Sequence, residues 1–436
     1  MPSLTRRRFL GLAGAAGVLS GCSVVSAGTL GAAPDPGVTT FWNLWAGSDG
    51  QRAQQMYDAY TAEHGSSSLQ PITFTWGDPY YTKLSLATLS GRAPDLAVAH
   101  VSRLSSLQKA GLIEPIDDAT LAAGGLSTGQ FSPPAWKAAL VAGKPYSLPY
   151  DVGALVLYYN TDICAKAGLL DGNGTLKPLR GVKDFTAALS AATKAGARYG
   201  AVWPVIGDPA SNWRLFSSFY TQQGGTSFLG EGGRTVTIAD DVAASTLQFL
   251  ATTTGSSGLV PSAVDYAGSL SQFGSGAAGF LINGCWEVGT MQTSGVPFGM
   301  TTLPQLFDSP AVWADSHSLV LPRKDRSASD LSRTMGFAKS LLDQSLTWAK
   351  GGAIPSDLAV LSSPGYAELK PQSNYANTAD FAVYDPPAWY SGAGSIFMTI
   401  TGNQIGLVQQ GLTSVPDAVS SMRSQLQRYA DTPTPL

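Results

Sequence analysis

Val38 to Trp45 is an apolar, β-rich run, and Gly47-Ser48-Asp49-Gly50 follows it as a turn and helix start. Ala53, Met56, Tyr57 and Tyr60 then recur at the spacing of one helical face until Gly65, and Ile72 to Trp76 alternates as a second strand. The plan repeats with a helix over Tyr81–Leu89 that ends at Gly91, a strand over Leu96–His100 and a helix over Ser102–Ala110 closed by Gly111. Further helices are predicted over Phe185–Ala195, Trp213–Gln223 and Ala243–Thr254, and a strand over Ala278–Asn283. Amphipathic cover is predicted over Met335–Leu342 and Ile405–Tyr429. Alternating strands and helices of this kind imply α/β layers with mostly parallel sheets. Lys144 to Ala154, rich in Pro and Gly, feeds the strand Leu155–Asn160 and reads as a crossover between two lobes, and Ser318–Pro322 reads as a second.

The chain has 436 residues, enough for two domains or one two-lobed body with a sizeable core. Only 13% of its residues are charged, against about 25% in an average soluble protein, so its surface rests on neutral polar side chains. The formal net charge is −3 and no basic stripe lies beyond the first ten residues, which argues against nucleic acid as a partner. Ten Trp, 16 Tyr and 16 Phe supply large flat faces to this weakly charged chain.

Arg6-Arg7-Arg8 precedes an apolar run, Phe9 to Ser20, too short for the roughly 20 residues of a membrane span, and reads as a twin-arginine export signal. Leu19-Ser20-Gly21-Cys22 closes that run and resembles the lipobox of bacterial lipoproteins, which makes Cys22 the expected lipid anchor. Residues 1–21 are thus expected to be removed, 22–37 to form a Ser/Ala/Gly/Pro tether, and the folded body to begin near Val38. Export to the outer face of the cytoplasmic membrane follows, with the lipid as the membrane contact. The two remaining cysteines, Cys164 and Cys285, can pair outside the cell or can be small buried hydrophobes, and spacing does not decide between them.

Motifs for catalysis are sparse. The three histidines are far apart in sequence and no H-E-x-x-H or C-x-x-C occurs, so no metal framework is expected. No G-x-S-x-G elbow occurs, and Gly143-Lys144 runs into Pro145 rather than forming a phosphate loop. Gly274-Ser-Gly276-Ala-Ala-Gly279 matches G-x-G-x-x-G, but it follows a helix and precedes a strand, the reverse of a dinucleotide site. No cofactor is expected. A glycoside hydrolase is the enzymatic alternative, since it needs only two carboxylates across a cleft, and Asp49, Asp151, Glu287 and Asp315 are its candidates.

Taken in order, several segments resemble the extracellular sugar-binding proteins of ABC importers, the family that includes maltose-binding protein. They are Phe41 to Gly47, Gly91-Arg-Ala-Pro-Asp95 with Gly111-Leu-Ile-Glu-Pro115, Leu148 to Asn160, Gly279 to Trp286, and Gly351-Gly-Ala-Ile-Pro355. The resemblance implies a two-lobed periplasmic-binding-protein fold with crossing hinge strands and a ligand held between the lobes. Residues 38–150 with about 319–365 are then the first lobe, and 151–318 with about 366–436 the second. It implies a monomer that binds a neutral mono- or oligosaccharide and delivers it to ABC permease subunits, a glycerophosphodiester or other polar solute being the other ligand class.

A pyranose presents an apolar C–H face and a rim of hydroxyls, so its site needs aromatic planes with donors and acceptors. By position in the matched segments the candidate ligand contacts are Trp45, Ser48 and Asp49 after the first strand, His100 and Arg103 after the third, and Asp151 and His317 at the crossovers. Asn283 and Trp286, in the Asn-Gly-Cys-Trp turn, and the late aromatic Trp389 complete the set. Each has a structural alternative: Trp45 and Trp286 as core aromatics, Asp49 as an N-cap, the histidines as satisfied structural groups. Gly284-Cys285-Trp286 departs from the family's Gly-Pro-Trp, so the geometry of that turn is an open point.

Overall fold

The computed structural model describes residues 37–434. The twin-arginine segment, Cys22 and nearly all of the expected tether lie outside the described residues. Among those described, no helix is long and apolar enough to cross a membrane.

Two sheets, each with its own core, organise the body. In the first, Thr39–Asn43 pairs in parallel with Leu69–Thr73 on one side and Leu96–His100 on the other. The late strand His317–Val320 returns antiparallel to Leu96–His100 and sets His317 opposite His100, and Leu148–Pro149 forms the far edge. Phe41, fully buried in the strand Thr39–Asn43, meets Tyr57 and Phe337 edge-on from the covering helices. Truncating such a side chain to alanine costs about 3–5 kcal/mol.

The spine of the second sheet is Asp151–Asn160, ten residues that are all buried. Ala278–Gly284 and Phe298–Thr302 run antiparallel along its later half, while Val312–Asp315 and Ile354–Pro355 pair with its beginning. Tyr199–Val202 and Ala382–Val383 extend the two sides in parallel. This sheet is therefore mixed, where a mostly parallel one was expected, because the crossing strand runs against all four of its direct neighbours.

The chain passes from the first core to the second between Tyr150 and Val152, and back between Ala314 and Leu319. It leaves the first core again between Trp348 and Ile354, ahead of the boundary near residue 365 drawn from sequence. Three crossings thus bracket the space between the sheets.

The helix Gly47–His64 buries Ala53, Met56, Tyr57 and Tyr60, the face its periodicity predicts. Its N-cap is Ala46, so Asp49 lies inside the first turn, where a carboxylate suits the helix dipole. The amphipathic run over 405–429 is two helices, Ile396–Gln409 and Val415–Ala430. Gly411 at φ +71° turns the chain between them, and Ser414 caps the second by accepting from Asp417 N–H.

Cys164 and Cys285 are free thiols, both buried, so the pairing left open by their spacing is not formed. A Cβ on Gly279 would lie 3.6 Å from Ile163, which puts the Cys164 helix at one end of the strand Ala278–Gly284, while Cys285 follows the other end. Six residues of strand span roughly 20 Å, far beyond the reach of a disulfide.

Candidate functional site

A cavity of about 480 Å³ lies between the two sheets, within the roughly 300–1,000 Å³ typical of small-molecule sites. The first lobe contributes Trp45, Asp49, Trp76, His100 and His317 to its lining. The second contributes Arg214, Tyr266, Trp286, Trp313 and Asp315. Gly153 also faces the cavity; a Cβ there would meet Asp315 O at 2.9 Å, so only glycine lets the crossing strand approach this closely.

Arg214 stands on the helix Pro209–Gln222, which Asp208 caps by accepting from Ser211 N–H. Its guanidinium carbon is 4.8 Å from the ring centroid of Trp313, 5.2 Å from Trp286 and 5.5 Å from Trp76. Each such cation–π contact contributes about 0.5–2 kcal/mol, more as water is excluded. Arg214 is 8% exposed, and its Nε is buried with no hydrogen-bond partner among the described residues.

The surrounding indoles are oriented from behind. Trp313 Nε1 donates to Asp385 at 2.9 Å, and Trp213 Nε1 donates to the same carboxylate oxygen at 2.7 Å. Trp286 Nε1 donates to the Tyr266 hydroxyl at 2.9 Å, which in turn donates to Glu287 at 2.6 Å. A Cβ at Gly284 would sit 2.0 Å from the Trp286 ring. The indole therefore folds back over Gly284, and the Gly-Cys-Trp turn still delivers its aromatic face to the cavity. Trp45 packs against Tyr150 and Trp348 at centroid distances of 5.4 and 4.5 Å, while its edge reaches the cavity and its Nε1 is unpartnered among the described residues. Trp45 is thus a buried core aromatic that also lines the cavity.

The titrating groups divide by their surroundings. Asp151 is fully buried and accepts from His317 N–H and Trp348 Nε1, and its second oxygen lies 2.8 Å from His317 Nδ1. Burial opposes charge on His317, but Asp151, with Asp49 and Asp315 nearby, outweighs it and raises the His317 pKa above its ordinary value. His100, 5.0 Å away ring to ring, is pushed well below its ordinary value by burial and by the charges of His317, Arg103 and Arg214. Trp76 Nε1 can only donate, so His100 Nε2 accepts at 3.4 Å and the ring proton sits on Nδ1, 2.7 Å from the Tyr81 hydroxyl.

Burial pushes the Asp49 carboxyl up to about 6, against the pull of His317 and Arg52. Burial, with Asp385 near, pushes Asp315 up to about 7, although Ser102 donates to it from the opposite lobe through both its hydroxyl and its backbone N–H. The cavity thus pairs acceptors at Asp49 and Asp315 with donors at Arg214, His317 and Trp45.

Of the residues expected at the site, Trp45, Asp49, His100, Trp286 and His317 line the cavity. Asp151 does not; it positions His317 and is committed to that role by its three contacts. Ser48 faces a neighbouring groove. Arg103 donates to Ala393 O at 3.0 and 2.7 Å and pairs with Asp78, tying the lobes together beside the cavity. Asn283 is buried within its strand and accepts from Gly284 N–H.

Trp389 is corrected: it packs on Tyr390 and Tyr429 and faces a separate surface groove with Leu86 and Leu89. The cause is the anchoring of its segment, since Tyr390 donates to Gly233 O at 2.8 Å and Ala388 rests on Gly233. The sequence reading missed Trp76, Arg214, Tyr266 and Trp313. Arg214 left one usable signal, a lone charge in a helix that is buried on all sides from Ala210 to Tyr220.

The model of the bacterial extracellular solute-binding protein family matches residues 45–325, well over half of the chain. A maltooligosaccharide ABC transporter solute-binding lipoprotein of Streptococcus pneumoniae (strain ATCC BAA-255 / R6) is 23% identical over 334 residues, covering 73% of this chain and 71% of its own. Among solved structures, the GacH receptor of Streptomyces glaucescens GLA.O, determined unliganded and with acarbose, superposes with a TM-score of 0.74 at 19% identity, over 90% of this chain and 97% of its own. The maltose/maltodextrin-binding domain MalE of Bdellovibrio bacteriovorus, bound to maltotriose, gives 0.70 at 18% identity, over 90% and 100%. The fold is the two-lobed one of maltose-binding-protein-like proteins.

Proposed function

The chain belongs to the bacterial extracellular solute-binding protein family, and on that premise we propose that it captures a neutral mono- or oligosaccharide between its lobes and delivers it to the permease of an ABC importer. The observation that carries the ligand class is Arg214. Its guanidinium is surrounded by three indole planes, one of them from the opposite lobe, yet its buried Nε has no acceptor among the described residues.

A ligand in this cavity meets an arginine cation ringed by indole faces, so it must bring acceptors to the Arg214 guanidinium and apolar faces to the rings around it. Asp49 adds acceptor oxygens for hydroxyl protons. A pyranose supplies all three. The mix of carboxylates and cations favours a neutral polyol over an acid or a phosphodiester.

Because lining residues come from both lobes, bound saccharide stabilises the closed arrangement by its differential affinity. The closed form is then what the permease reads. The role of the Streptococcus pneumoniae relative as a transporter lipoprotein and the lipobox-like Leu19 to Cys22 support an extracytoplasmic, lipid-anchored protein. Binding without chemical change is the reading, with a glycoside hydrolase less favoured because Asp151 is held by His317 and Trp348.

Titration calorimetry of the protein against a panel of neutral sugars, glycerophosphodiesters and amino acids tests this, with saccharide binding and no released product expected. Binding of phosphodiesters alone overturns the ligand class, and turnover of chromogenic glycosides overturns the non-enzymatic reading.

A further inference from the structure

Arg214 is a buried cation without a direct counter-ion: it makes no ion pair among the described residues. A charge taken out of water is costly unless its surroundings compensate it. Three indole faces supply part of that compensation. The groups behind those indoles supply more.

The three rings differ at their nitrogens. Trp313 Nε1 donates directly to Asp385 Oδ1 at 2.9 Å, and Trp213 Nε1 donates to the same oxygen at 2.7 Å, which pins the carboxylate in place. Trp286 Nε1 donates to the Tyr266 hydroxyl, and that hydroxyl donates onward to Glu287 Oε1. Trp76 Nε1, from the first lobe, donates at 3.4 Å to His100, a ring held neutral by burial and by the cations around it. Both indoles of the second lobe therefore end on a carboxylate, and the indole of the first lobe does not.

A carboxylate that accepts from an indole N–H drives electron density onto the ring, since hydrogen bonds in a chain polarise one another. A cation over that ring is held by the electrostatic field of its face, so a richer face holds it harder. Asp385 is itself buried, where little water screens it. Burial raises its carboxyl above the ordinary value, and the two indole N–H groups, Arg214 and Arg103 pull the other way.

We propose that Asp385 and Glu287 are positioning residues for saccharide capture: they are the counter-charges of Arg214 and act on it through the π faces of Trp313 and Trp286, not by contact. The inference rests on the saccharide reading of the cavity. A carboxylate in direct contact would occupy the guanidinium; one behind the rings balances the cation and leaves its cavity side to the ligand. Asp385 follows the strand Ala382–Val383, and Tyr266 and Glu287 flank the strand Ala278–Gly284, so both chains of groups belong to the second lobe. Arg214 is thus held there before Trp76 closes on it from the first.

The test is two double-variant cycles, Asp385→Asn with Arg214→Met and Glu287→Gln with Arg214→Met, each read by denaturant unfolding without ligand and by calorimetry with a neutral saccharide that the wild type binds. Both amides keep the accepting oxygen and remove the charge; in Asp385→Asn the Nδ2 takes the place of Oδ2, which has no partner among the described residues. With Arg214 present, Asp385→Asn should weaken binding about tenfold and Glu287→Gln, one hydroxyl further from its ring, about threefold, whereas in the Arg214→Met background each should cost less than about twofold. The unfolding constants should show the same coupling, at least about threefold for Asp385→Asn. A role limited to packing the indoles gives equal losses in both backgrounds, so additivity in both cycles overturns the proposal with the saccharide reading intact. If Asp385→Asn does not fold, the Glu287→Gln cycle decides alone. Coupled unfolding in a wild type that binds no saccharide overturns the saccharide reading and leaves the counter-charge pairing standing.

Discussion

The Arg214 guanidinium of the second lobe lies 5.5 Å from the ring centroid of Trp76 in the first, and the two close the cavity from opposite sides. Trp76 belongs to neither core and is 37% exposed, an unusual state for an indole. The contact therefore does little for either lobe and much for their closure on a ligand.

Arg214→Met keeps the apolar stem among the indoles and removes the donors. Saccharide affinity should fall about thirtyfold, the loss of roughly 2 kcal/mol expected at a hot spot, while the melting temperature without ligand shifts little. Calorimetry with a parallel thermal melt checks this; full affinity with a much lower melting point would make Arg214 a packing residue.

Trp286 and Trp389 should separate. Trp286→Ala removes a cavity face and should weaken binding about thirtyfold or more, whereas Trp389→Ala, on its own outer groove, should leave affinity within about twofold, below the 1 kcal/mol that marks an important contact. Ligand-induced quenching of tryptophan fluorescence should shrink only in the Trp286 variant. The opposite pattern would restore Trp389 to the site.

The strand Leu96–His100 and the buried face of Gly47–His64 were legible because their periodicity is local. His100 and His317 were each placed at strand ends by sequence, but their 5.0 Å approach is set by the antiparallel return of the strand His317–Val320, a long-range pairing with no local signature. Arg214 hid for a related reason: in sequence it is the neighbour of Trp213, which packs against Phe228 and Phe397, and only the helix geometry turns the adjacent side chain the other way. Trp389 misled because motif order fixes the position of a segment along the chain, not the direction in which its side chain leaves the backbone.

Cys22, as the proposed lipid anchor, gives an outcome independent of the cleft. Cys22→Ala should move the protein from the membrane fraction to the soluble exported fraction with ligand affinity unchanged, because the cavity lies wholly within residues 44–393. Continued membrane association of that variant, read by fractionation, would remove Cys22 from the role.

Asp315 makes stability depend on pH in a direction that can be worked out. In the unfolded chain its carboxyl titrates near the ordinary value of about 3.9, while burial in the fold pushes it up to about 7. Between those values the folded protein holds a proton that the unfolded chain has released, so stability falls as pH rises through this window and is level above it. Asp315→Asn removes that titration; its Oδ1 can still accept from the N–H groups of Ser102 and Ser316, while its Nδ2 donates to the Ser102 hydroxyl oxygen in place of the bond accepted by the carboxylate. Asp49, raised to about 6, and His317, also raised, slope the same way, whereas the depressed His100 slopes the other, so the wild-type curve alone is a composite. The difference between variant and wild type isolates Asp315: denaturant unfolding should show the variant gaining on the wild type from about pH 4 to about pH 7 and holding a constant lead beyond it. A difference that does not change with pH would mean that Asp315 is ionised in the folded protein throughout, with its interlobe bond to Ser102 made by the carboxylate.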